Sequence, residues 1–310
     1  MSNIEYTTIE DNENILKQEP LRALDWADIV NMDLKEKSYM LEPLIREKDL
    51  VMIYAPAGVG KTHVSTGIAW AVSTGSDFLG WKATKSKKVL IIDGEMPLRS
   101  IRDRLQKLPE CNNNRNLKII SSDTLEDNQI MPDISLVEGQ QAIKHLTDWA
   151  DFIILDNLSS LCRTGQENTT EAWKLTQSWL LELRAKNKTV LIVDHAGKNG
   201  ANRGASAKQD VLDTVLSLKR PNDYENEQGA RFIIKIGKNR NANPIEEIEA
   251  HLVNGVWNVS NAKQSIIEEV INLHEGKLTQ RDIASEVGIS VGKVNKIIQA
   301  HNKQKDYLKK

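Results

Sequence analysis

Cysteine is scarce in this 310-residue chain. The two residues, Cys111 and Cys162, are too few for a disulfide framework or a cysteine-rich metal site. They read as free buried thiols of a reducing compartment. No apolar run approaches membrane-spanning length, and Asn3–Asp11 carries no secretion signal, so the expected location is the cytoplasm. A strong charge of either sign is missing as well. Net charge is -2, from 41 Lys/Arg and 43 Asp/Glu, which excludes a uniformly basic nucleic-acid binder and leaves only local patches. Internal repeats and low-complexity tracts are absent too. What is present is ordinary globular material, 40% hydrophobic and 27% charged, with length for one large core and one small extra domain.

Residues 1–40 are acidic and weakly periodic, a partly flexible segment in which LRALDWADIVN (21–31) predicts one short helix. From Asp49 the pattern changes. Apolar, β-rich runs recur as LVMIYA (50–55), KVLIID (88–93), LKIISS (117–122), DFIILD (151–156) and TVLIVD (189–194). Helical patterns separate several of them, over Lys61–Ser73, Leu98–Leu108, Ile143–Asp148 and Glu171–Lys186. Strands apolar on both faces, alternating with helices, predict an α/β fold with a mainly parallel sheet sandwiched by helices. TVLSLKR (214–220), ARFIIKIGK (230–238) and EEIEAHLVNGVWNV (246–259) alternate more and predict an antiparallel extension. Residues 264–301 read as helices only. The expected domains are therefore a 41–260 core and a small all-α 261–310 unit.

APAGVGKT (Ala55–Thr62), between a strand and a helix, is the strongest single signal. It has the form of a phosphate-binding P-loop, which places Ala57, Gly58, Val59, Gly60, Lys61, Thr62 and His63 along a bound triphosphate. Lys61 would neutralise the β/γ charge and the Thr62 hydroxyl would reach Mg²⁺. Ala55 stands where a glycine is usual; it ends the strand, and a methyl group is tolerable there at negative φ.

Two strand-tip acids narrow the chemistry. Asp156 ends DFIILD, the place for a carboxylate on the Mg²⁺ side. Glu95 follows KVLIID, where it would polarise an attacking water, with Asp93 as a competitor or helix-capping acid. His195 ends the next strand and would touch the γ-phosphate. Arg203 lies eight residues on, in a glycine-bounded loop able to cross a subunit boundary, where a guanidinium would neutralise developing charge.

The ordered set APAGVGKT, GEMPLRSIRDRL, ILDNLSSL, GQEN and DHAGKNGANRGAS resembles the RecA-like ATPases of the plasmid RepA type, hexameric replicative helicases of the DnaB/KaiC-like superfamily, over roughly residues 35–220. The resemblance implies a RecA-like fold and a ring of identical subunits that hydrolyses ATP at each interface and translocates on single-stranded DNA. A primase or initiator protein would be a further partner. On these positions Lys61 and Thr62 would bind phosphate and Mg²⁺, Glu95 would be the catalytic carboxylate and Asp156 the Mg²⁺-side acid. His195 would be the γ-phosphate sensor and Arg203 the finger in trans. Arg104 matches a family arginine near the nucleotide, with adenine stacking as the suggested role, and Lys198 an interface lysine. The chain departs from the pattern at Asp194, where the family often has a second histidine, and at Asp213, where an arginine commonly stands. DNA contact in the ring falls to CRTGQENTT (162–170) and GKNGANRG (197–204), neither strongly basic nor aromatic.

LTQRDIASEVGISVGKVNKIIQAHN (278–302) carries the spacing of a helix-turn-helix. Ile283, Val287, Ile289, Val294 and Ile297 would be buried, Ala284 would allow the helix crossing and Gly288 the turn. The second helix would expose Ser290, Lys293, Asn295, Lys296 and Gln299 to phosphates and base edges. Lys263–Lys310 holds nine Lys/Arg against six Asp/Glu, a modest local excess that favours DNA. Trp70, Trp149, Trp173 and Trp179 fall on helical faces and read as packing. The leading expectation is an ATP-driven replicative DNA helicase of a plasmid or mobile element. Its rivals are a non-unwinding ATPase of the same fold, such as a helicase loader or recombinase-like protein, and an ATP-controlled helix-turn-helix regulator.

Overall fold

The computed structural model describes residues 22–109, 114–163, 170–197, 208–241 and 245–308. Residues up to Glu36 cluster apart from Lys37–Lys310. In the first unit, helix α1 (Trp26–Asn31) is capped by Asp25, whose Oδ1 accepts the Asp28 N–H at 2.8 Å.

The second unit begins with two short strands, β1 (Tyr39–Leu41) and β2 (Ile45–Arg46), followed by β3 (Leu50–Ala55) and α2 (Lys61–Thr74). A small hairpin, β4 (Asp77–Phe78) with β5 (Trp81–Lys82), precedes β6 (Val89–Asp93), α3 (Leu98–Leu105) and β7 (Leu117–Ile120). Then come α4 (Val137–Ala142), α5 (Lys144–Trp149), β8 (Phe152–Asp156), α6 (Leu158–Leu161), α7 (Thr170–Ala185) and β9 (Thr189–His195). Strands β10 (Thr214–Lys219), β11 (Arg231–Asn239), β12 (Ile248–Val253) and β13 (Val256–Asn261) lead into α8 (Ala262–Glu275), α9 (Gln280–Val287) and α10 (Val291–Leu308).

Nine strands form one sheet in the order β13-β12-β11-β10-β3-β9-β8-β6-β7. The six from β10 to β7 run parallel, and β11, β12 and β13 are antiparallel. TVLSLKR is thus the last parallel strand rather than the first antiparallel one. Its residues 214–218 are buried, as a central strand requires. The expected single run 246–259 is two strands, because Asn254 and Gly255 turn the chain with φ of 51° and 81°.

Alternation within each strand explains the continuous apolar runs. Val51, Ile53, Ile154, Leu191 and Val193 pack against Val64, Ile68 and Val72 of α2. Leu50, Met52, Ile153, Leu155 and Ile192 pack against Trp173, Trp179, Leu180 and Leu183 of α7. Both faces are covered, so neither can be polar. Cys162 is buried in the second of these layers, where desolvation pushes its thiol up to about 11. Helices α8, α9 and α10 bury a separate cluster of Val270, Ile283, Ala284, Val287, Val294 and Ile298. Ile289 and Ile297 pack half-buried against this cluster, and Ile298, outside the expected set, is buried in it. No helix among the described residues is long and apolar enough to cross a membrane.

Asp213, the departure noted above, lies at the start of β10, at the end of the sheet opposite the Ala55–Thr62 loop. Its Oδ2 accepts the Leu50 N–H at 2.8 Å and a bond from Arg184 of α7, so it ties two strands and a helix together. Asp213→Ala would leave the Leu50 N–H without this acceptor and the buried end of Arg184 with the Val211 carbonyl alone. It is expected to lower the unfolding free energy by about 3 kcal/mol, read by urea denaturation of the two proteins side by side.

Candidate functional site

The loop after β3 is shaped by two glycines. Gly58 and Gly60 have φ of 75° and 131°. A Cβ on Gly60 would stand 2.6 Å from the ring of Phe232 on β11, whereas one on Gly58 would meet nothing within 4 Å. Gly60 is therefore fixed by packing as well as by φ, while Gly58 faces open space, as backbone that cradles a ligand must. Ala57 and Gly58 are exposed and Val59 is buried. α2 starts directly at Lys61, so the free N–H groups of its first turn are presented at the loop. Ala55 keeps negative φ and is buried.

Lys61 is buried, and its ammonium donates to the carbonyls of Ala55 at 2.8 Å and Pro56 at 3.1 Å. Burial lowers its pKa, and the fields of Asp156, Glu95 and Asp194 partly offset that. Its Nζ is also 3.2 Å from Nδ1 of His195. Thr62 is half-buried beside it.

Asp156 and Asp93 are register partners on β8 and β6, both buried. Asp156 Oδ2 accepts from Ser65 Oγ at 3.0 Å. Burial, then the field of Asp93, pushes its carboxyl up to about 7. Asp93 Oδ1 accepts the N–H groups of Glu95 at 2.9 Å and Met96 at 2.7 Å, and burial raises its pKa as well. Asp93 therefore shapes the turn that carries Glu95 out of the sheet. The Glu95 side chain is 58% exposed, and Asn157 Nδ2 donates to its Oε2.

His195 stands between these groups. Its Nε2 is 3.1 Å from Asn157 Nδ2 and 3.8 Å from Glu95 Oε2. Lys61 and Asn157 both offer N–H groups to the ring, one at each nitrogen. A neutral imidazole has one acceptor nitrogen, so it accepts from one of them at a time. Asp194, next in sequence, turns away from this edge. It is buried, and its Oδ2 pairs with the ammonium of Lys208 at 3.0 Å.

His63 and Arg104 lie elsewhere. Together with Trp70, Phe78, Lys107 and Trp257 they line a cavity of about 270 Å³ beside the first turns of α2. The His63 ring meets Trp257 edge-on at 6.2 Å, and its pKa is pushed down to about 4 by burial, with Arg104 and Lys107 adding to it. The cavity has aromatic walls and a cationic rim, which suits a flat heterocycle.

The sequence reading missed Ser65, Asn157 and Trp257. Ser65 sits one helical turn after Lys61 and Asn157 directly after Asp156, so both were within reach of spacing arguments. Trp257 was hidden in a strand taken for mere sheet extension. Arg203 and Lys198 lie outside the described residues, as do 164–169 and 198–204 of the two candidate DNA loops. On α10, Lys293, Lys296 and Gln299 are exposed and Asn295 is half-buried. Ser290, also exposed, precedes the helix and accepts the Lys293 N–H at 3.3 Å.

Among the described residues no cluster of His, Cys, Asp and Glu could hold a metal ion unaided. The strand tips nevertheless fit a hard divalent cation that shares its ligands with a phosphate. Asp156 is a buried acid with another buried acid across the register, and the Thr62 hydroxyl lies at the adjoining helix start.

A mainly parallel sheet flanked by helices, with a glycine loop feeding a helix and acids at the neighbouring strand tips, defines a RecA-like P-loop ATPase. Residues 17–201 match the AAA domain family, and the chain belongs to it. A KaiC-like protein from the hyperthermophilic archaeon Pyrococcus horikoshii OT3 is similar in fold, with a TM-score of 0.50 at 15% identity over 73% of this chain and 99% of its own. The flagellar accessory protein FlaH from Methanocaldococcus jannaschii gives a TM-score of 0.49 at 13% identity, over 70% of this chain and 91% of its own. No curated protein matches the chain.

The raised Asp156 carboxyl has a consequence for stability. The folded state holds this proton up to about pH 7, whereas an unfolded Asp releases it near pH 4. The folded chain thus binds more protons across that window, and its stability falls as pH rises through it. Chemical denaturation of the nucleotide-free protein between pH 4.5 and 7.5 should show this decline, and Asp156→Asn should flatten it. An equal decline in both proteins would place its source elsewhere.

Proposed function

We propose that the chain hydrolyses ATP with Mg²⁺ and uses the reaction to move on DNA, as a hexameric replicative helicase of a plasmid or mobile element. The observation that supports this most is the convergence of Lys61, Asp156, Glu95, Asn157 and His195 on one edge of the sheet. In this reading Ala57–Thr62 wrap the phosphates, and the base enters the cavity lined by His63, Arg104 and Trp257. Thr62 and Asp156 would hold Mg²⁺, which would supply neutralisation of the phosphate charge.

The chain's own groups then divide the remaining tasks. The Lys61 ammonium exchanges its loop carbonyls for phosphate oxygens. Glu95 projects into solvent and accepts a proton from the attacking water, its carboxylate aimed by the Asn157 amide. His195 changes partner as Lys61 moves: once the ammonium is drawn away from Nδ1, the ring accepts from Asn157 alone. That exchange passes the state of the phosphate along β9 to the segment carrying Lys198 and Arg203. Arg203 of one subunit completes the pocket of the next, and single-stranded DNA passes through the ring. A primase or initiator protein is the partner this role calls for, and the cytoplasm its place.

The 261–310 helices follow the 41–260 motor core as a DNA-binding helix-turn-helix of α9, Gly288 and α10. It presents Ser290, Lys293, Asn295, Lys296 and Gln299 to phosphates and base edges. This unit also supports a second reading, an ATP-controlled DNA-binding regulator. Sequence-specific duplex binding by a full chain that never unwinds DNA would favour it over the motor.

Forked-duplex unwinding and DNA-stimulated ATP turnover are the direct tests. Lys61→Ala should abolish both, and Glu95→Gln should bind ATP while turning over roughly 10² slower or worse. A wild-type chain that cleaves no ATP with any polynucleotide present would sink the proposal. Arg203→Ala should keep nucleotide binding and lose roughly 10³ in turnover. Mixing it with Lys61→Ala chains should restore part of the activity, and no recovery would exclude action across the interface.

A further inference from the structure

Arg220 directly follows β10, and its guanidinium spans three backbone carbonyls. Nη2 donates to Gly58 of the phosphate loop at 2.7 Å, and Nη1 donates to Gly229 at 2.8 Å and Arg231 at 2.6 Å. The Tyr224 ring stacks under it at 3.8 Å, so the group is braced on its face as well as its edges.

Two residues on, Asn222 reaches the C-terminal helices. Its Nδ2 donates to the carbonyl of Val287, the last residue of α9, at 2.5 Å. The following residue, Gly288, has φ of 69°, and a Cβ there would lie 2.4 Å from the same Nδ2. The α9–α10 turn is thus seated directly on Asn222. Pro221 between them is buried and has a fixed φ, so the two contacts belong to one stiff three-residue segment. A polar cleft of about 620 Å³ lies between the same elements, lined by Lys219, Arg231, Glu249, Glu269 and Asn272 among others.

We infer that Arg220–Asn222 is a strap coupling the phosphate loop to the C-terminal helices, so that nucleotide at the loop changes how firmly the α9–α10 turn is docked. The inference rests on Ala55–Thr62 being the nucleotide site, and not on the helicase role. Arg220 holds a carbonyl of the very loop that must rearrange around phosphates, and any shift of Gly58 is carried through Pro221 to Val287. Coupling of this kind is reciprocal: loosening the turn alters nucleotide affinity by the factor that nucleotide alters docking.

Hydrogen exchange of the full chain, with and without a non-hydrolysable ATP analogue and Mg²⁺, reads the strap. Analogue binding is first measured by equilibrium dialysis. In the wild type, amides of 283–294 should change exchange rate by roughly two-fold or more on binding. In Asn222→Ala their basal exchange should rise roughly five-fold, the size of one lost hydrogen bond, and the response to nucleotide should disappear. Arg220→Ala cuts the strap at its other end and should remove the response too, with α9 and α10 still helical by circular dichroism. Analogue bound with no response at 283–294, or an equal response in wild type and Asn222→Ala, overturns the strap and leaves the nucleotide site standing. No binding by the wild type removes the site and the strap together.

Discussion

A buried ammonium beside three carboxylates is the constraint on which this molecule turns. Asp93, Asp156 and Glu95 crowd one edge of the sheet, and Lys61 is the cation that feels the fields of Asp156, Glu95 and Asp194. Each group escapes isolation differently. Lys61 rests on two carbonyls of its own loop, Asp93 on two backbone N–H groups and Asp156 on one hydroxyl, while Glu95 stays in solvent under the Asn157 amide. The best-satisfied acid shapes a turn, the least-satisfied buried one is the natural partner for an incoming cation, and the exposed one is free to handle a proton. Burial of a charge without full compensation is costly, and the residual cost here is concentrated where a phosphate and its metal would relieve it.

The fold was largely legible because the sheet is covered on both faces. Continuous apolar runs such as VLIID and FIILD have few other homes in a protein of this size. β10 was misjudged because Ser217 and Lys219 give it an alternating look, although its neighbours bury it on both sides. At the site, acids at strand tips announce themselves, whereas amides and hydroxyls do not. Asn157 and Ser65 have no intrinsic signal and matter only through what stands 3 Å away. Trp257 needed the β12–β13 turn to swing it across onto His63 and Phe232, which no local pattern encodes. His63, counted with the phosphate loop from its position, points instead into the cavity shared with Arg104.

The two departures from the RepA-type pattern have separate physical accounts. Asp213 belongs to the far end of the sheet, where Arg184 and Leu50 need an acceptor. Asp194 is buried against Lys208, and these two residues bracket the segment that carries Lys198 and Arg203. The pair ties Lys208 to the strand ending in His195. The acid at this strand end thus anchors a cation.

Gly58 and Lys61 receive contacts from opposite directions. His195 approaches the loop from β9 through Lys61, and Arg220 approaches it from the end of β10 through Gly58. Strands β9 and β10 flank β3 on its two sides, so the loop sits at the meeting point of both. A triphosphate that takes over the Lys61 ammonium and orders the loop amides must therefore act on both neighbours at once. Through β9 the disturbance runs toward the segment bracketed by Asp194 and Lys208. Through β10 it runs toward Asn222 and the α9–α10 turn. A single loop between two parallel strands is in this way held from the end of each, and through Asn222 it is joined to the appended helical unit by no more than a few hydrogen bonds.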